Sequence, residues 1–551
     1  MNITVKQLSS LKKVRSINDM QTDEICKKMI LAGQSFSYQV AVYSDEKAEI
    51  EVEIDSSLSE YIRLYAVRDT VMDYTADPEV TDTDFLTREP GTMPDLLVPI
   101  EEQNGIIHVS GSVSSIWTEI KLPHSFSAGK RIVSIGLTCR NIADENDCAE
   151  FVQTMEIEVI GADIPEQSTL FTQWFHTDCI AEAYNTEIYS EKHWAMIDKF
   201  MRLASELGIN MLLTPVITPP LDTKEGGLRP NTQLVKIEKC GEKYSFDFSR
   251  LDRWISLCRK NGIKYYEISH FFSQWGLKYA PKIYVTENGE ESRMFGWHVP
   301  AKSTSYREFL EQFLPELIKE LKKQGVEENC YVHLSDEPNI SHLESYLYAY
   351  ETIKPLIGRC KIMDALSDVD FYDSGLVNVP VTASDHIEPF LEKRIENQWI
   401  YYCCEQANKV GNRFMAMPSY RNRILGLQMY KYRIEGFLHW GFNFYNSRFS
   451  MYKINPYVTS SADKCFPSGD SFSMYPGKDG PLPSLRAMIF KEALEDIEIC
   501  RLLEKYIGRE NVIEIIEREA DMKLTFSEYP CNDKFIPEVM EKIIGMIKKY
   551  I

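Results

Sequence analysis

Hydrophobic and polar residues alternate in short runs along the first 162 residues, which is the pattern of β-strands. Gly, Pro, Asn and Asp separate the runs, which lie at 35–44, 47–55, 62–72, 105–113, 115–123, 130–139 and 151–161. Short strands with turn residues between them and little helical periodicity are typical of a β-sandwich. We therefore predict an N-terminal β-sandwich domain over residues 1–162.

From residue 163 the pattern changes to strands that alternate with helices. Eight apolar runs predict strands at 169–175, 210–217, 264–272, 330–336, 360–366, 377–383, 399–405 and 436–445, and helical spacing predicts helices between most of them. The link between the fifth and sixth runs is too short for a proper helix. Eight such repeats predict an α/β fold, a (β/α)8 TIM-like barrel with C-terminal helices over residues 163–551.

Composition and charge narrow the possible partners. The chain has 551 residues and a net charge of −21, which disfavours nucleic acid and anionic membranes as partners. We find no apolar stretch of signal-peptide or membrane-span length. The 13 cysteines include no C-x-x-C pair, which fits a reducing compartment. We expect a cytoplasmic protein, and the oligomeric state stays open.

Polar and aromatic residues recur where the predicted barrel strands end, which is where such barrels carry their chemistry. Aromatic rings stack on sugar C–H faces and polar groups bind hydroxyls, so these residues favour a carbohydrate ligand. For His333 a purely structural role is an equal alternative. No H-E-x-x-H or similar spacing occurs, so we expect no metal and no cofactor. The candidates for substrate binding, by location alone, are Trp174, His176, His270, His333, Tyr401, Trp440, Asn443 and Arg486.

The segment YVHLSDEP, residues 331–338, places Asp336 and Glu337 side by side at the end of the fourth barrel strand. Their structural alternative is a helix N-cap, but Asn339 and Ser341 would cap the following helix better. Two adjacent acids at this rim are therefore predicted to be catalytic.

Two mechanisms of glycoside hydrolysis use a carboxylic acid at this place. In double displacement Glu337 would protonate the leaving oxygen, and Glu405, at the end of the seventh strand, would attack the anomeric carbon. In substrate-assisted catalysis the 2-acetamido group of the sugar attacks instead, while one acid holds that group and its neighbour protonates the leaving oxygen. In that case we expect the negative charge of Asp336 to keep Glu337 protonated near neutral pH.

The chain resembles glycoside hydrolase family 123, the β-N-acetylgalactosaminidases, in the segments 333–338, 399–405, 420–445 and 484–498. The Asp-Glu dipeptide at the fourth strand is the most specific part. The resemblance implies release of terminal β-linked N-acetylgalactosamine with retention of configuration and without a metal. It also implies that Asp336 orients and stabilises the acetamido group and that Glu337 is the general acid/base.

Two alternatives stay open at this point. One is a double-displacement β-glycosidase that uses Glu337 and Glu405, and the other is a non-catalytic carbohydrate-binding protein. The expected ligand is a small oligosaccharide or glycoside. The sequence leaves open the choice between galacto and gluco sugars, the aglycone and the role of the N-terminal domain.

Overall fold

The structure is a computed structural model that describes residues 1–144 and 146–551. Its N-terminal domain is one hydrogen-bonded sheet in the order β2-β8-β7-β3-β6-β4-β5, with β1 paired to β3. The strands are β1 (Ile3–Ser9), β2 (Lys27–Ala32), β3 (Ser35–Ser56), β4 (Ile62–Met72), β5 (Gly91–Pro99), β6 (Ile106–Lys121), β7 (Gly129–Asn141) and β8 (Cys148–Asp163).

The long strand β3 connects two parts of this sheet. Its register shifts between Ser44 and Lys47; the residues before the shift pair with β1 and those after it pair with β7. A bulge bends a strand, so the predicted runs 35–44 and 47–55 are one bent strand. Side chains from both parts share one hydrophobic cluster, as expected for a sandwich-like domain. Its members include Val40, Ile50, Ile116, Ile135 and Ile157.

The rest of the chain forms the predicted barrel. Eight parallel strands close in the order β10-β13-β16-β17-β18-β19-β20-β9, and each lies within one of the eight predicted runs. The strands after the N-terminal domain are β9 (Leu170–Gln173), β10 (Met211–Thr214), β11 (Lys236–Cys240), β12 (Lys243–Asp247), β13 (Tyr265–Ile268), β14 (Ile283–Glu287), β15 (Glu290–Phe295), β16 (Cys330–Val332), β17 (Lys361–Ala365), β18 (Val379–Ala383), β19 (Trp399–Tyr401), β20 (Gly436–His439), β21 (Met474–Pro476) and β22 (Pro481–Pro483).

Helices surround the barrel. The link between the fifth and sixth barrel strands is short, as the sequence predicts, because its helix α6 has four residues. Among the described residues, no helix is both long and apolar enough to cross a bilayer. The α-helices are α1 (Thr177–Ala183), α2 (Glu191–Glu206), α3 (Ser249–Lys260), α4 (Thr304–Lys323), α5 (Leu343–Ile353), α6 (Val369–Tyr372), α7 (Glu388–Glu392), α8 (Tyr420–Tyr432), α9 (Leu485–Ile507), α10 (Arg509–Ala520) and α11 (Phe535–Ile547).

Buried ion pairs join the N-terminal domain to helix α9 of the barrel. Arg486 Nε lies 2.8 Å from Asp95 Oδ1, and Lys491 Nζ lies 2.6 Å from Glu119 Oε1. Arg486 also donates to the carbonyl oxygens of Gly469 and Phe472. The structure therefore places Arg486, a sequence candidate for substrate binding, at the domain interface, where its donors are used by the protein itself.

Candidate active site

A cavity of about 130 Å³ lies at the carboxyl end of the barrel strands. The acid pair follows β16, Tyr401 ends β19, and three tryptophans follow β9, β13 and β20. Aromatic walls around two carboxyl groups are suited to a sugar ring. The aromatic residues are Trp174, Trp275, Tyr401 and Trp440, and the carboxyl groups belong to Asp336 and Glu337.

The two acids point to different hydrogen-bond partners. Asp336 is buried, and its Oδ2 accepts a 2.9 Å hydrogen bond from Nε2 of Gln274. Glu337 is exposed, and its Oε1 accepts a 2.8 Å hydrogen bond from Oη of Tyr401. The backbone of Glu337 has φ 46°, a left-handed conformation that strains a side chain with a Cβ. Such strain is typical of functional positions.

Burial decides which acid of the pair holds a proton. Desolvation, followed by the charge of Glu337, raises the pKa of Asp336 to about 8. Gln274 and His333 act in the opposite direction. The sequence predicts a proton on Glu337, whereas burial in the structure favours the protonated form of Asp336, because Asp336 is the acid that is removed from water.

A buried network of charged groups lies beneath the pair. Nε2 of His333 is 2.6 Å from Oε1 of Glu267, and Nδ1 of His333 is 3.1 Å from Oδ1 of Asp364. All three side chains are fully buried. Despite burial, the two carboxylates raise the pKa of His333 to about 10, so the ring is an imidazolium. Tyr346 donates a further hydrogen bond to Asp364.

The network also fixes one aromatic wall of the cavity. Nε1 of Trp174 donates a 2.6 Å hydrogen bond to Glu267, whose other oxygen accepts from Thr172. His270 stacks on His333 with ring centroids 4.3 Å apart and an angle of 15° between the rings. His270 and His333 were sequence candidates for substrate binding, but neither is among the residues that line the cavity.

The same residues include one potential metal-ligand set, since ligand atoms of His270, His333 and Asp364 lie within 4.8 Å of one another. A metal lies in the plane of each imidazole that binds it, and two stacked parallel rings cannot both meet that condition. Both nitrogens of His333 are also occupied by carboxylates. The geometry therefore favours an ion-paired imidazolium over a metal centre.

His176 also lines the cavity, in a fixed tautomer. Its Nδ1 accepts from Nη2 of Arg229 at 3.2 Å, so its Nε2 donates to the carbonyl oxygen of Trp440 at 3.0 Å. Burial and the charge of Arg229 lower the pKa of His176 to about 3. Arg229 itself is held by a bidentate ion pair with Asp178, with both distances 2.7 Å. His176 is thus a neutral wall of the site.

The remaining sequence candidates divide into two groups. Trp440 lines the cavity and donates a 3.0 Å hydrogen bond to Asp470. Asn443 is fully buried, and its amide binds the backbone N–H and carbonyl of His176, so it shapes the loop and lies outside the lining. Glu405, the alternative nucleophile, is exposed and also lies outside the lining.

Among the lining residues that were not sequence candidates, Gln274, Trp275 and Asp222 can contact a substrate through polar groups or a large ring. Burial raises the pKa of Asp222 to about 6, and its Oδ2 accepts from the backbone N–H of Phe449. All three lie in loops after β10 and β13, several residues beyond the strand ends. Their only sequence signal is a polar or aromatic residue in a loop of a predicted barrel.

Comparisons with known proteins concern the family and the fold. A sequence model described as "Glycoside hydrolase 123, catalytic domain" matches residues 174–503, which is more than half of the chain. No curated protein matches. A family 123 glycoside hydrolase from Clostridium perfringens, solved in work on glycolipid glycan hydrolysis, has a TM-score of 0.75 at 17% identity. The match covers 100% of this chain and 98% of that one, and at this identity it shows a shared fold.

A second solved structure is more distant. A family 2 glycosyl hydrolase from Bacteroides cellulosilyticus has a TM-score of 0.28 at 10% identity. The match covers 78% of this chain and 45% of that one. A likeness of this size carries no argument about the fold or the site.

Proposed function

The chain belongs to glycoside hydrolase family 123, and from this premise we propose that it releases terminal β-linked N-acetylgalactosamine by retaining, exo-acting, substrate-assisted hydrolysis. The observation that carries the proposal is one buried and one exposed carboxyl group on adjacent residues of a single aromatic cavity. The Clostridium perfringens enzyme is described in terms of glycolipid glycan hydrolysis, so glycolipid glycans are one source of such a terminal sugar.

In the first step the acetamido oxygen of the sugar attacks the anomeric carbon while Glu337 gives its proton to the leaving oxygen. Asp336 accepts a hydrogen bond from the acetamide N–H and balances the positive charge that develops on the closing ring. In the second step Glu337 takes a proton from water while the water oxygen bonds to the anomeric carbon. The bond from that carbon to the acetamido oxygen breaks, which restores the acetamido group and the β-configuration. Asp336 thus holds the acetamido group in both steps, whereas Glu337 acts first as the general acid and then as the general base.

Substrate binding also explains how the proton reaches Glu337. An acetamide N–H aimed at Asp336 stabilises its carboxylate form, because hydrogen bonds to the charged form favour that form. The like charges of the pair then favour a proton on Glu337. The pair therefore becomes competent when an acetamido sugar is in place.

The decisive experiment compares two 4-nitrophenyl β-glycosides, the galactoside and its 2-acetamido counterpart. We expect turnover of the acetamido substrate alone, loss of that turnover in Asp336→Asn and Glu337→Gln, and ordinary turnover in Glu405→Gln. Asp222→Asn tests the other carboxyl group near the cavity. If the plain galactoside is cleaved equally well, or if a variant of Glu405 or Asp222 accumulates no product, the nucleophile belongs to the enzyme and the proposal is wrong.

A further inference from the structure

One carboxyl group in the cavity, that of Asp222, has no part in the proposed mechanism. We infer that Asp222 binds a hydroxyl group of the terminal sugar and makes the site selective for a sugar without anionic substituents. A terminal sugar whose hydroxyl carries a sulfate ester would therefore be rejected. The inference rests on the proposed function, because it concerns the same sugar on which the acid pair acts.

The two carboxylate oxygens of Asp222 have different surroundings. Oδ2 accepts a hydrogen bond of 2.9 Å from the backbone N–H of Phe449. Within the part of the chain that the structure describes, Oδ1 has no hydrogen-bond donor, and it is not one of the unpaired polar atoms that are sealed from solvent. Since Asp222 lines the cavity, Oδ1 is a free acceptor for a ligand there. A sugar hydroxyl is a donor that suits such an atom.

Two loops hold Asp222 in this position. Its carbonyl oxygen accepts a hydrogen bond of 2.7 Å from Oγ of Ser450, and the backbone N–H of Lys224 donates to the carbonyl oxygen of Phe449 at 3.0 Å. The backbone of Asp222 has φ 36° and that of Phe449 has φ 58°, a left-handed conformation that costs energy in both residues. The contacts and the strain indicate a carboxylate that is placed before the ligand arrives, which lowers the cost of binding.

The charges of the cavity lining determine which class of sugar fits. Three carboxyl groups line the cavity, those of Asp222, Asp336 and Glu337, whereas the described lining residues include no lysine or arginine. Burial raises the pKa of Asp222 to about 6, so the group is a carboxylate at neutral pH. An anionic substituent in the cavity would meet like charge and find no cation to pair with, which is costly in a site removed from water.

Two arginines favour the ionised form of Asp222 from outside the cavity lining. Arg229 is buried, and its guanidinium is paired with both carboxylate oxygens of Asp178. The guanidinium of Arg448 lies over the ring of Phe449, 4.8 Å from its centroid. Both cations are therefore engaged by the protein itself, and the lining of the cavity stays negative.

The alternative is that Asp222 only links the two loops. The substitution Asp222→Asn keeps an oxygen acceptor for the N–H of Phe449, removes the charge and presents an N–H donor to the cavity. If Asp222 is only a link, this variant should keep the sugar selectivity of the wild type. If Asp222 contacts the sugar, the variant should bind the neutral sugar more weakly and discriminate less against sulfated sugars.

Isothermal titration calorimetry tests the contact without turnover, with N-acetylgalactosamine, its 4-sulfate and its 6-sulfate as probes. We expect the wild type to bind the neutral sugar roughly tenfold more tightly, or better, than either sulfated sugar. In Asp222→Asn the neutral sugar should bind about tenfold more weakly, and the ratio between neutral and sulfated sugars should fall. A wild type that binds none of the probes, or binds all three equally, overturns the inference, as does an unchanged ratio in Asp222→Asn.

The kinetic test uses the 4-nitrophenyl β-glycosides of N-acetylgalactosamine and of its 6-sulfate. Asp222→Asn should raise KM for the neutral substrate and leave kcat within about threefold, because Asp222 takes no part in making or breaking bonds. Glu225→Gln is the matched control, since Glu225 is exposed on the same loop and accepts from Oη of Tyr279 outside the cavity lining. If Glu225→Gln changes the selectivity as much as Asp222→Asn does, net charge alone explains the effect and the inference is wrong.

A second variant keeps the test decisive if Asp222→Asn does not fold. Asp222→Glu retains the negative charge but moves it by one methylene group, so it should bind the neutral sugar more weakly and still reject the sulfated sugars. Equal binding of neutral and sulfated sugars by Asp222→Glu overturns the inference. Failure of the wild type to cleave acetamido sugars refutes the proposed function, whereas the calorimetry still decides whether Asp222 contacts a sugar and excludes sulfate.

Discussion

The phenol Oη of Tyr401 donates a hydrogen bond of 2.8 Å to Oε1 of Glu337 across the mouth of the barrel. Tyr401 ends β19, and Glu337 follows β16. Strands β17 and β18 therefore lie between them in the barrel. Burial and the charge of Glu337 raise the pKa of Tyr401 far above its usual value, so the phenol keeps its proton. The exposed acid of the pair is thereby held at one oxygen.

This contact predicts the effect of Tyr401→Phe. A hydrogen bond to a charged group contributes about 1.5–3 kcal/mol, so kcat should fall roughly 10- to 100-fold with little change in KM. The loss should be greater for a sugar leaving group than for 4-nitrophenolate, because only the former needs a well-placed acid. Steady-state kinetics on the two substrates measure this difference.

Tyr402→Phe is the control for that experiment. Tyr402 is buried in the next position of the chain, but its hydroxyl donates to Asn422, outside the cavity lining. We expect Tyr402→Phe to leave the ratio of kcat between the two leaving groups unchanged. Equal losses in the two variants would assign Tyr401 a packing role only.

The raised pKa of Asp336 predicts how stability depends on pH. An acid whose pKa is about 8 in the folded protein, against 3.8 as the reference value, holds its proton longer when folded. The protein is therefore most stabilised by this group below about pH 4 and loses that stabilisation as pH rises to about 8. Asp336→Asn removes the effect, so the variant should be more stable than the wild type at pH 9 by more than ~1 kcal/mol.

Denaturant unfolding at pH 4 and pH 9 checks this prediction. The gain should be small at pH 4 and large at pH 9, with activity lost at both. Gln274→Glu is a useful companion, because a second acid beside Asp336 should enlarge the loss of stability with rising pH. If Asp336→Asn is less stable than the wild type at pH 9, the Asp336 carboxylate does not destabilise the folded protein and the prediction is wrong.

The barrel was predictable because its strands are buried on both faces and read as continuous apolar runs. The runs at 330–336 and 399–405, for example, contain β16 and β19. The N-terminal strand β5 was missed because Pro94 and Pro99 lie within it, and proline normally argues against a strand. Here the sequence pattern reports burial faithfully but gives little information about pairing in a bent sheet.

The site was predictable only where chemistry and strand ends coincide. Asp336, Glu337, Trp174 and Tyr401 lie at or just after strands, and the structure brings them to one cavity. Gln274 is several residues beyond its strand, and its position depends on how a long loop folds back. The sequence alone does not specify the path of this loop, because contacts between loops that follow different strands decide that path.

An exposed tryptophan at the rim predicts an aglycone contact. Trp275 is 44% exposed, lines the cavity and meets Phe449 edge-to-face at 6.0 Å between centroids. Its φ of 51° strains the backbone, which indicates that the ring is held at the rim despite a cost. Trp275→Ala should raise KM about tenfold for a substrate with a sugar aglycone and leave KM for the methyl glycoside nearly unchanged.

Trp297→Ala is the control for the rim. Trp297 is half-buried beside Tyr279, lies outside the lining of the cavity and donates to the carbonyl of Gly227. Its removal should alter both KM values by the same small factor. If Trp275→Ala raises KM equally for the two substrates, the ring contacts the terminal sugar and not the aglycone.

The final prediction concerns Arg486, which the sequence placed among the substrate-binding candidates and the structure places between domains. Its guanidinium forms a bidentate pair with Asp95 at 2.8 and 2.9 Å, and Tyr475 donates to the same carboxylate. Removal of one partner of a buried pair costs about 3–5 kcal/mol, because the other charge stays buried. Asp95→Asn should therefore lower the free energy of unfolding by several kcal/mol, measured by urea denaturation, while KM of the folded enzyme stays the same. A raised KM without loss of stability would instead return Arg486 to the substrate site.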